Sequence, residues 1–559
     1  MAPARTLRRD ALVAATLALT LGAVWTWRAW ADLSALRLPD TDDVVRLQQI
    51  RDWLAGQPFA DVSQHRLAGG LAMHWSRLAD LVPGMMIALL TPIIGQHAAE
   101  LVAVVVWPLA LFAVALMLVA RIARALAVDG TTAAAVAAIA YPATTLFLPG
   151  RIDHHGAQMV QLLGAVLAQL RAPTGGAGFA AGLLAAASLV IGLETAPLFA
   201  ALAAVALAEW IADRPGAAAR LRGWSIGALV GLVTARALFA TSAWDYPACD
   251  GFTGQAWRAA AVLAPVPLLL AALDTRLSRW RSRTGVAVAV GAVASGIAAI
   301  VSPSCLSPYG GVDPAMVRLW LAHVGEAQGL FAAPPATAIG YAGAMLVGLG
   351  CGVWQWRATR DRRWAVLVLC QLASLVVTVD ALRGAYAGAL LAAPALAAAI
   401  ASERARGTLR LAGAWLLSAG MLWPLAAEAI APPPAVTPSA RGDCASPSMI
   451  ATLGALPPGT VMAPVDAGAY LLAGTRQRVI AAPYHRNNAG NRAAYGFYLG
   501  AADLAGAVAR TWHVDYALAC AAMPGRARAI ALPGWRRLVL LGDGAVIYAP
   551  GLSRHAGER

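Results

Sequence analysis

Apolar runs long enough to cross a bilayer as helices, roughly 20 residues each, recur along most of this chain, and arginine-rich loops punctuate them. That pattern leaves few folds open. Lipid offers no partner for a free N–H or C=O, so a spanning segment must satisfy its own backbone as a helix. Of 559 residues, 59% are hydrophobic and 13% charged, well under the quarter or so of charged residues usual in soluble domains. The net charge of +14 would suit a nucleic-acid partner in a soluble protein. Here the sequence has no lysine, and much of its arginine falls in short loops between apolar spans. The basicity is therefore a topology signal, and no nucleic-acid partner is expected.

Met1–Arg9 carries Arg5, Arg8 and Arg9 ahead of an apolar stretch from Ala11 to Ala31, which is read as an uncleaved first helix with its amino end in the cytoplasm. Further spans are expected at 98–120, 131–148, 157–171, 176–192, 194–213, 222–242, 258–275, 284–302, 336–355, 363–380, 384–402 and 409–428, about thirteen in all with the first. This count puts Arg121–Arg124, Arg214–Arg222, Arg276–Arg283, Arg357–Arg363 and Arg404–Arg410 on the cytoplasmic side, and every one of these loops is basic, as the positive-inside rule requires. The short run 81–95, with Pro83, Gly84 and Pro92, is read as a helix at or dipping into the interface.

The expected fold is thus a polytopic α-helical membrane domain over 1–430, with a long first outer loop (32–97) and another at 303–335. A Pro-rich linker, Ala431–Pro434, would lead into an extracytoplasmic α/β domain over 431–559, long enough to fold on its own. Cys249, Cys305, Cys444 and Cys520 all fall outside, where two disulfides can form in any of three connectivities.

Acids gather at the outer ends of the spans, where charge beside a bilayer is costly and reads as functional. The first loop holds Asp40, Asp42 and Asp43 at the start of an amphipathic stretch; converging carboxylates suit a hard cation, while a helix N-cap explains one of them as well. Asp153-His154-His155 stands at a junction between two spans, a donor set for a divalent metal. Glu326 lies in a short amphipathic stretch of the loop 303–335, where a solvated face is the plain alternative. Arg383, with Tyr386 one turn on, sits at an outer mouth, and its planar fork suits a phosphate or diphosphate, a snorkelling side chain being the alternative. Glu194 is the main acid inside an apolar run, near a predicted helix end.

At these residues the chain resembles the catalytic subunit of oligosaccharyltransferase and its archaeal and bacterial single-subunit relatives, among the GT-C membrane glycosyltransferases. The likeness covers the whole membrane region. By it Asp42 corresponds to the catalytic and metal-binding Asp of the first loop, although Val44 and Val45 stand where aromatics are usual. Asp153-His154-His155 matches the second acidic motif, and His323-Val324-Gly325-Glu326 the Ser/Thr-x-x-Glu of the fifth outer loop. Arg383 and Tyr386 look like the pair that binds the lipid-linked diphosphate.

The resemblance implies glycosyl transfer from a polyprenyl-phosphate or diphosphate carrier at the outer face of a bacterial cytoplasmic membrane. A divalent cation, Mn or Mg, would be held by Asp42, Asp153, His155 and Glu326, and Asp42 or Asp43 would orient or deprotonate the acceptor. One departure is large. Where the family carries Trp-Trp-Asp to recognise Asn-X-Ser/Thr, this chain has Pro464-Val465-Asp466, and only Asp466 survives. His154, Asp466, His485 and Arg486 are further candidates for contacts to the acceptor, which the sequence leaves open as protein, lipid or glycan. A GT-C enzyme moving one sugar from a monophosphate carrier is the alternative, and a polysaccharide transporter a more distant one, since a transporter places its charges near the bilayer midplane.

Overall fold

The computed structural model describes residues 2–307, 309–430, 444–520 and 533–551, which form two compact units. The linker expected at Ala431–Pro434 lies outside the described residues. The first unit comprises Met1–Leu36, Trp75–Gly310 and Ala322–Pro433, the second Arg37–His74, Gly311–Leu321 and Pro434–Arg559.

The first unit is helical, and among its described residues eight helices are long and apolar enough to cross a membrane, or nine if the bent pair Thr408–Ser418 and Leu422–Ala429 counts as one span. This is a multi-pass membrane protein. Helix Gly384–Arg404 is the axis of the core, buried along most of its length, because its run of alanine and glycine lets neighbours approach closely. Gly388 lies against Met345, and Ala392 against Gly348. Where lipid cancels the hydrophobic drive between helices, such small residues supply the contact. The same device joins Gly175–Ile191 to Ala217–Phe239. Gly178 and Gly182 abut the backbone of Arg220 and Trp224, and Gly223 and Gly227 abut that of Gly175 and Phe179.

Two of the expected spans, 131–148 and 409–428, are broken. The run 131–148 is helical only at Gly130–Ala137 and resumes as a 3-10 turn at Ala143–Phe147. Its interruption packs on the 88° bend of the last apolar pair, where the Met421 amide donates to the Ile139 carbonyl at 3.1 Å. Each break thus helps satisfy the other's backbone, as apolar surroundings demand. The run 81–95, read as a helix at or dipping into the interface, lies within the 18-residue helix Arg77–Ile94, which continues through Pro83 and Pro92 and is long and apolar enough to cross by length and composition. Ser76 caps its start by accepting from the Leu78 amide at 3.2 Å.

The arginine-rich loops form one end of this unit. Arg363 donates to the Ala125 carbonyl at 2.5 Å, Arg362 pairs with Glu209 and reaches the Arg171 carbonyl at 3.0 Å. Arg220 holds Glu209 at 2.9 Å and the same Arg171 carbonyl at 2.6 Å. Arg283 bonds the Trp210 carbonyl at 2.6 Å and Asp213 at 2.8 Å. These ties gather the carboxyl ends of Gln96–Ala125, His155–Leu170 and Ala196–Ile211 with the amino ends of Ala217–Phe239 and Arg362–Asp380. The opposite ends of the same helices carry the acids. There Cys249 and Cys305 are disulfide-bonded.

The second unit is built on a five-stranded sheet in the spatial order Arg478–Val479, Thr460–Met462, Tyr516–Ala519, Val546–Pro550, Trp535–Leu540. The first three strands are parallel and the last two antiparallel. Helix Asn488–Leu499 seals one face through Phe497 and Tyr498, whose hydroxyl lies 3.0 and 2.7 Å from the Met462 and Leu518 carbonyls, with one hydrogen to give. Cys444 is bonded to Cys520. Two outside segments join this body. Helix Thr41–Leu54 and the hairpin Ser63–Gln64/Leu71–Ala72 dock at the sheet edge, where the Ala68 amide reaches the Val479 carbonyl at 2.8 Å. Residues 311–321 lie along Asn488–Leu499, held by Asn488 to the Gly311 carbonyl (2.7 Å), Arg492 to Asp313 (3.1 Å) and Tyr495 to the Leu319 carbonyl (3.0 Å).

Candidate active site and metal centre

The helical unit brings six of the residues singled out in the sequence into one cluster. Gly150, with φ of 93°, turns the chain after the 3-10 segment and donates to the Val104 carbonyl at 2.8 Å, so that Asp153 and His154 precede helix His155–Leu170 directly. Asp153, His154 and His155 are all buried, and one ligand atom of each lies within 4.8 Å of the others. They are the single group of three such side chains among the described residues.

Glu326 arrives from the loop Ala322–Pro334. Its carbonyl accepts from the Arg383 amide at 3.1 Å, and the Gln328 carbonyl from the Leu382 amide at 2.8 Å, zipping this loop to the turn before helix Gly384–Arg404. The Glu326 carboxylate then faces His155 Nε2 at 3.8 Å and Arg383 Nη2 at 3.9 Å, and it accepts from the Tyr386 hydroxyl at 3.1 Å. Burial alone would raise its pKa; the His155 imidazole and the Arg383 guanidinium outweigh that and hold it at about 2, so it stays an anion.

His155 Nε2 also faces Asp153 Oδ2 at 3.4 Å. Both separations exceed those of a good N–H···O bond, and one imidazole with two carboxylate oxygens is a donor set that suits Mn, Zn or Mg. The residues therefore fit a divalent cation. Arg383 donates to the Tyr309 hydroxyl at 3.4 Å, but its buried Nε has no hydrogen-bond partner among the described residues. An unspent donor on a guanidinium beside a carboxylate cluster is a place for an anionic oxygen.

Two members of the cluster were not picked out as site residues in the sequence. Glu194 lies between helices Gly175–Ile191 and Ala196–Ile211 and contacts His154 Nε2 at 3.3 Å. Gln158 donates to Glu194 at 2.9 Å and faces His155 Nδ1 at 3.3 Å. The signal for Glu194 was its acid in an apolar run; Gln158 gave none.

The other candidates belong to the sheet unit. Asp40 caps helix Thr41–Leu54, accepting from the Asp42 amide at 3.1 Å, which leaves Asp42 and Asp43 in the first turn with Asp43 buried. The Tyr484 hydroxyl donates to the Thr41 carbonyl at 3.0 Å. Arg486 donates to the Ala72 and Met73 carbonyls at 3.1 and 3.2 Å, which gives it a structural task in holding the hairpin. The His485 ring lies 4.5 Å from that of His74. Asp466 is exposed in the first turn of helix Val465–Gly474, where a carboxylate complements the helix dipole.

The sequence matches no protein-family model and no curated protein. Its structure does have close counterparts. Archaeal oligosaccharyltransferase AglB from Archaeoglobus fulgidus, in complex with an inhibitory peptide and a dolichol-phosphate, superposes with a TM-score of 0.62 at 14% identity, over 92% of this chain and 69% of that one. The same organism's enzyme with Zn and sulfate gives 0.59 at 14% over 91% and 67%. Tethered to an acceptor peptide containing the NVT sequon, it gives 0.59 at 14% over 92% and 69%. The chain has the fold of the archaeal oligosaccharyltransferases.

Proposed function

We propose that this protein is a membrane glycosyltransferase that moves a sugar or oligosaccharide from a polyprenyl-phosphate or diphosphate carrier to an acceptor at the outer face of a bacterial cytoplasmic membrane. The observation that carries this reading is the buried Asp153-His154-His155 group, with Glu326 facing His155 Nε2 at 3.8 Å, beside a guanidinium with a buried unspent donor, in a chain folded like AglB. AglB has been captured with dolichol-phosphate and, separately, with Zn, which supports a lipid carrier and a divalent cation here. We assign thirteen spans to residues 1–430 and an extracytoplasmic domain to 431–559, with the acid-bearing helix ends outside and the arginine ties inside.

Within the helical unit, Asp153 and His155 would hold the cation, with Glu326 beside them. The cation, when bound, supplies Lewis-acid neutralisation of the departing phosphate. Arg383 binds a phosphate oxygen through the donors it has left and steadies the negative charge that grows there. Asp42 or Asp43 orients the acceptor and takes its proton. The tail of the carrier lies against the apolar helices, so the donor need never leave the membrane.

The acceptor is read by rules other than Asn-X-Ser/Thr. Without the two tryptophans ahead of Asp466 there is no indole surface for a Thr side chain, and Pro464 offers no backbone donor. The test is to incubate the purified protein with lipid-linked sugars and Mn or Mg, offering Asn-X-Thr and Asn-X-Ala peptides, lipids and glycans, and to follow products by mass spectrometry. Metal-dependent transfer, with the two peptides equally poor acceptors, is the expected result. Transfer to the Thr peptide alone, lost in Asp466→Ala, would make this an N-glycosylating enzyme of the usual kind. Exclusive use of a monophosphate-linked monosaccharide would move it to the other GT-C class.

A further inference from the structure

Five side chains around the candidate metal centre form a closed ring. Beginning at His155, Nδ1 faces Gln158 Oε1 at 3.3 Å, and Gln158 Nε2 donates to Glu194 Oε2 at 2.9 Å. Glu194 Oε1 faces His154 Nε2 at 3.3 Å, and His154 Nδ1 meets Asp153 Oδ1 at 2.5 Å. Asp153 Oδ2 closes the ring on His155 Nε2 at 3.4 Å.

The hydrogen-bond chemistry of this ring is directional. The amide nitrogen of Gln158 has two acceptors, the Glu194 carboxylate and the Gly192 carbonyl at 3.0 Å, so that end of the amide is fixed as the donor. Its oxygen is then the atom that meets His155 Nδ1, and an amide oxygen only accepts. Nδ1 must carry the hydrogen, which leaves the Nε2 lone pair directed to the side where Asp153 Oδ2 and Glu326 Oε1 stand. His154, adjacent in sequence and the same in chemistry, is engaged by a carboxylate oxygen at each ring nitrogen. Gly192 makes the ring sterically feasible, because a Cβ there would collide with the Glu194 carboxylate.

We infer that Gln158 and Glu194 are positioning residues of the metal centre: through this ring they fix His155 as an Nε2 ligand and hold His154 out of the coordination sphere, as a strut between Asp153 and Glu194. The inference rests on the divalent-cation reading proposed above. Outer-shell partners that orient a metal-bound imidazole typically contribute a factor of about 10–100 in metal affinity.

The experiment is a Mn²⁺ titration of the purified full-length protein in detergent, followed by the EPR signal of free Mn²⁺, alongside the melting midpoint of each metal-free sample. Gln158→Leu removes the acceptor for Nδ1, and Glu194→Gln keeps the side-chain volume while removing a carboxylate acceptor. Each should weaken Mn²⁺ binding roughly 10–100-fold, with the metal-free melting midpoint close to wild type. His154→Gln, which retains a polar strut, should weaken it far less than His155→Gln, which removes a ligand. Equal affinity of Gln158→Leu, Glu194→Gln and wild type would overturn the positioning role while leaving the metal reading intact. A wild-type protein that binds no Mn²⁺ would overturn both. Should Gln158→Leu fail to fold, the near-isosteric Glu194→Gln decides the matter by the same titration.

Discussion

Tyr386 illustrates how a residue assigned by likeness takes on a second reading once its neighbours are known. Its hydroxyl donates to the Glu326 carboxylate at 3.1 Å, and a hydrogen bond to a charged group contributes about 1.5–3 kcal/mol. Tyr386→Phe should therefore lower kcat/KM roughly 10–100-fold through kcat, with the donor KM unchanged. A rise in donor KM instead would mean that the hydroxyl binds the carrier's phosphate. Arg383→Ala, by contrast, should act mainly on donor KM, and Asp153→Ala should abolish turnover in a protein that still folds. Acid stability gives a separate check in the sheet unit. Burial would raise the Asp61 carboxyl, but the Ser63 amide at 2.9 Å and the His65 ring at 2.8 Å pull it down to about 2. A depressed carboxylate stabilises the fold above its unfolded pKa, near 4, and the contribution is lost as pH falls toward 2. The melting difference between wild type and Asp61→Asn should accordingly be largest above pH 4 and shrink below it. At this scale the sequence revealed Asp153-His154-His155 because three metal-type side chains stand side by side at a helix mouth. It marked Glu194 only as an acid in an apolar run and hid Gln158, because their partnership spans 36 residues and depends on a turn that brings one helix end back to another.

Elements were legible wherever hydropathy alone decides them, and helices were found at the expected spans except where packing intervened. The run 131–148 is apolar throughout, so nothing local marks its interruption at Ile139–Pro142; the mark lies in Gly420, some 280 residues away on the bend it packs against. The seam between Gly175–Ile191 and Ala217–Phe239 offers a direct test of close backbone approach. A Cβ at Gly182 would collide with the Trp224 carbonyl, which is backbone and cannot swing aside. Gly182→Leu should destabilise by about 1–3 kcal/mol or more, seen as a lower melting midpoint in detergent. Gly291→Leu, at a position in helix Trp280–Val301 with nothing within 4 Å, should melt like wild type.

For the molecule as a whole, a tag at Arg360 should be cytoplasmic, and tags near Gly310 and at the carboxyl end should lie outside, as glycosylation or protease-protection mapping would report. A cytoplasmic carboxyl end would overturn this topology. The sequence did not show that 37–74 and 311–321 fold with the sheet, because the bonds that recruit them, Arg66 to the Thr475 carbonyl at 2.7 Å and Asn488 to Gly311, join residues far apart in the chain. The arginine ties have a consequence for how the protein is made. On the proposed topology, while the chain is being inserted these side chains act as freely hydrated charges that decide which loops stay behind. In the finished protein Arg220 is buried and its fork spans a carboxylate and two carbonyls. A lysine at 220 would carry the same sign through the insertion machinery, yet it lacks the planar fork. Arg220→Lys should thus arrive in the membrane the right way round and then fail at consolidation, with normal tag orientation but faster proteolysis and a lower melting midpoint. Orientation and maturation are thus separable events that share one side chain.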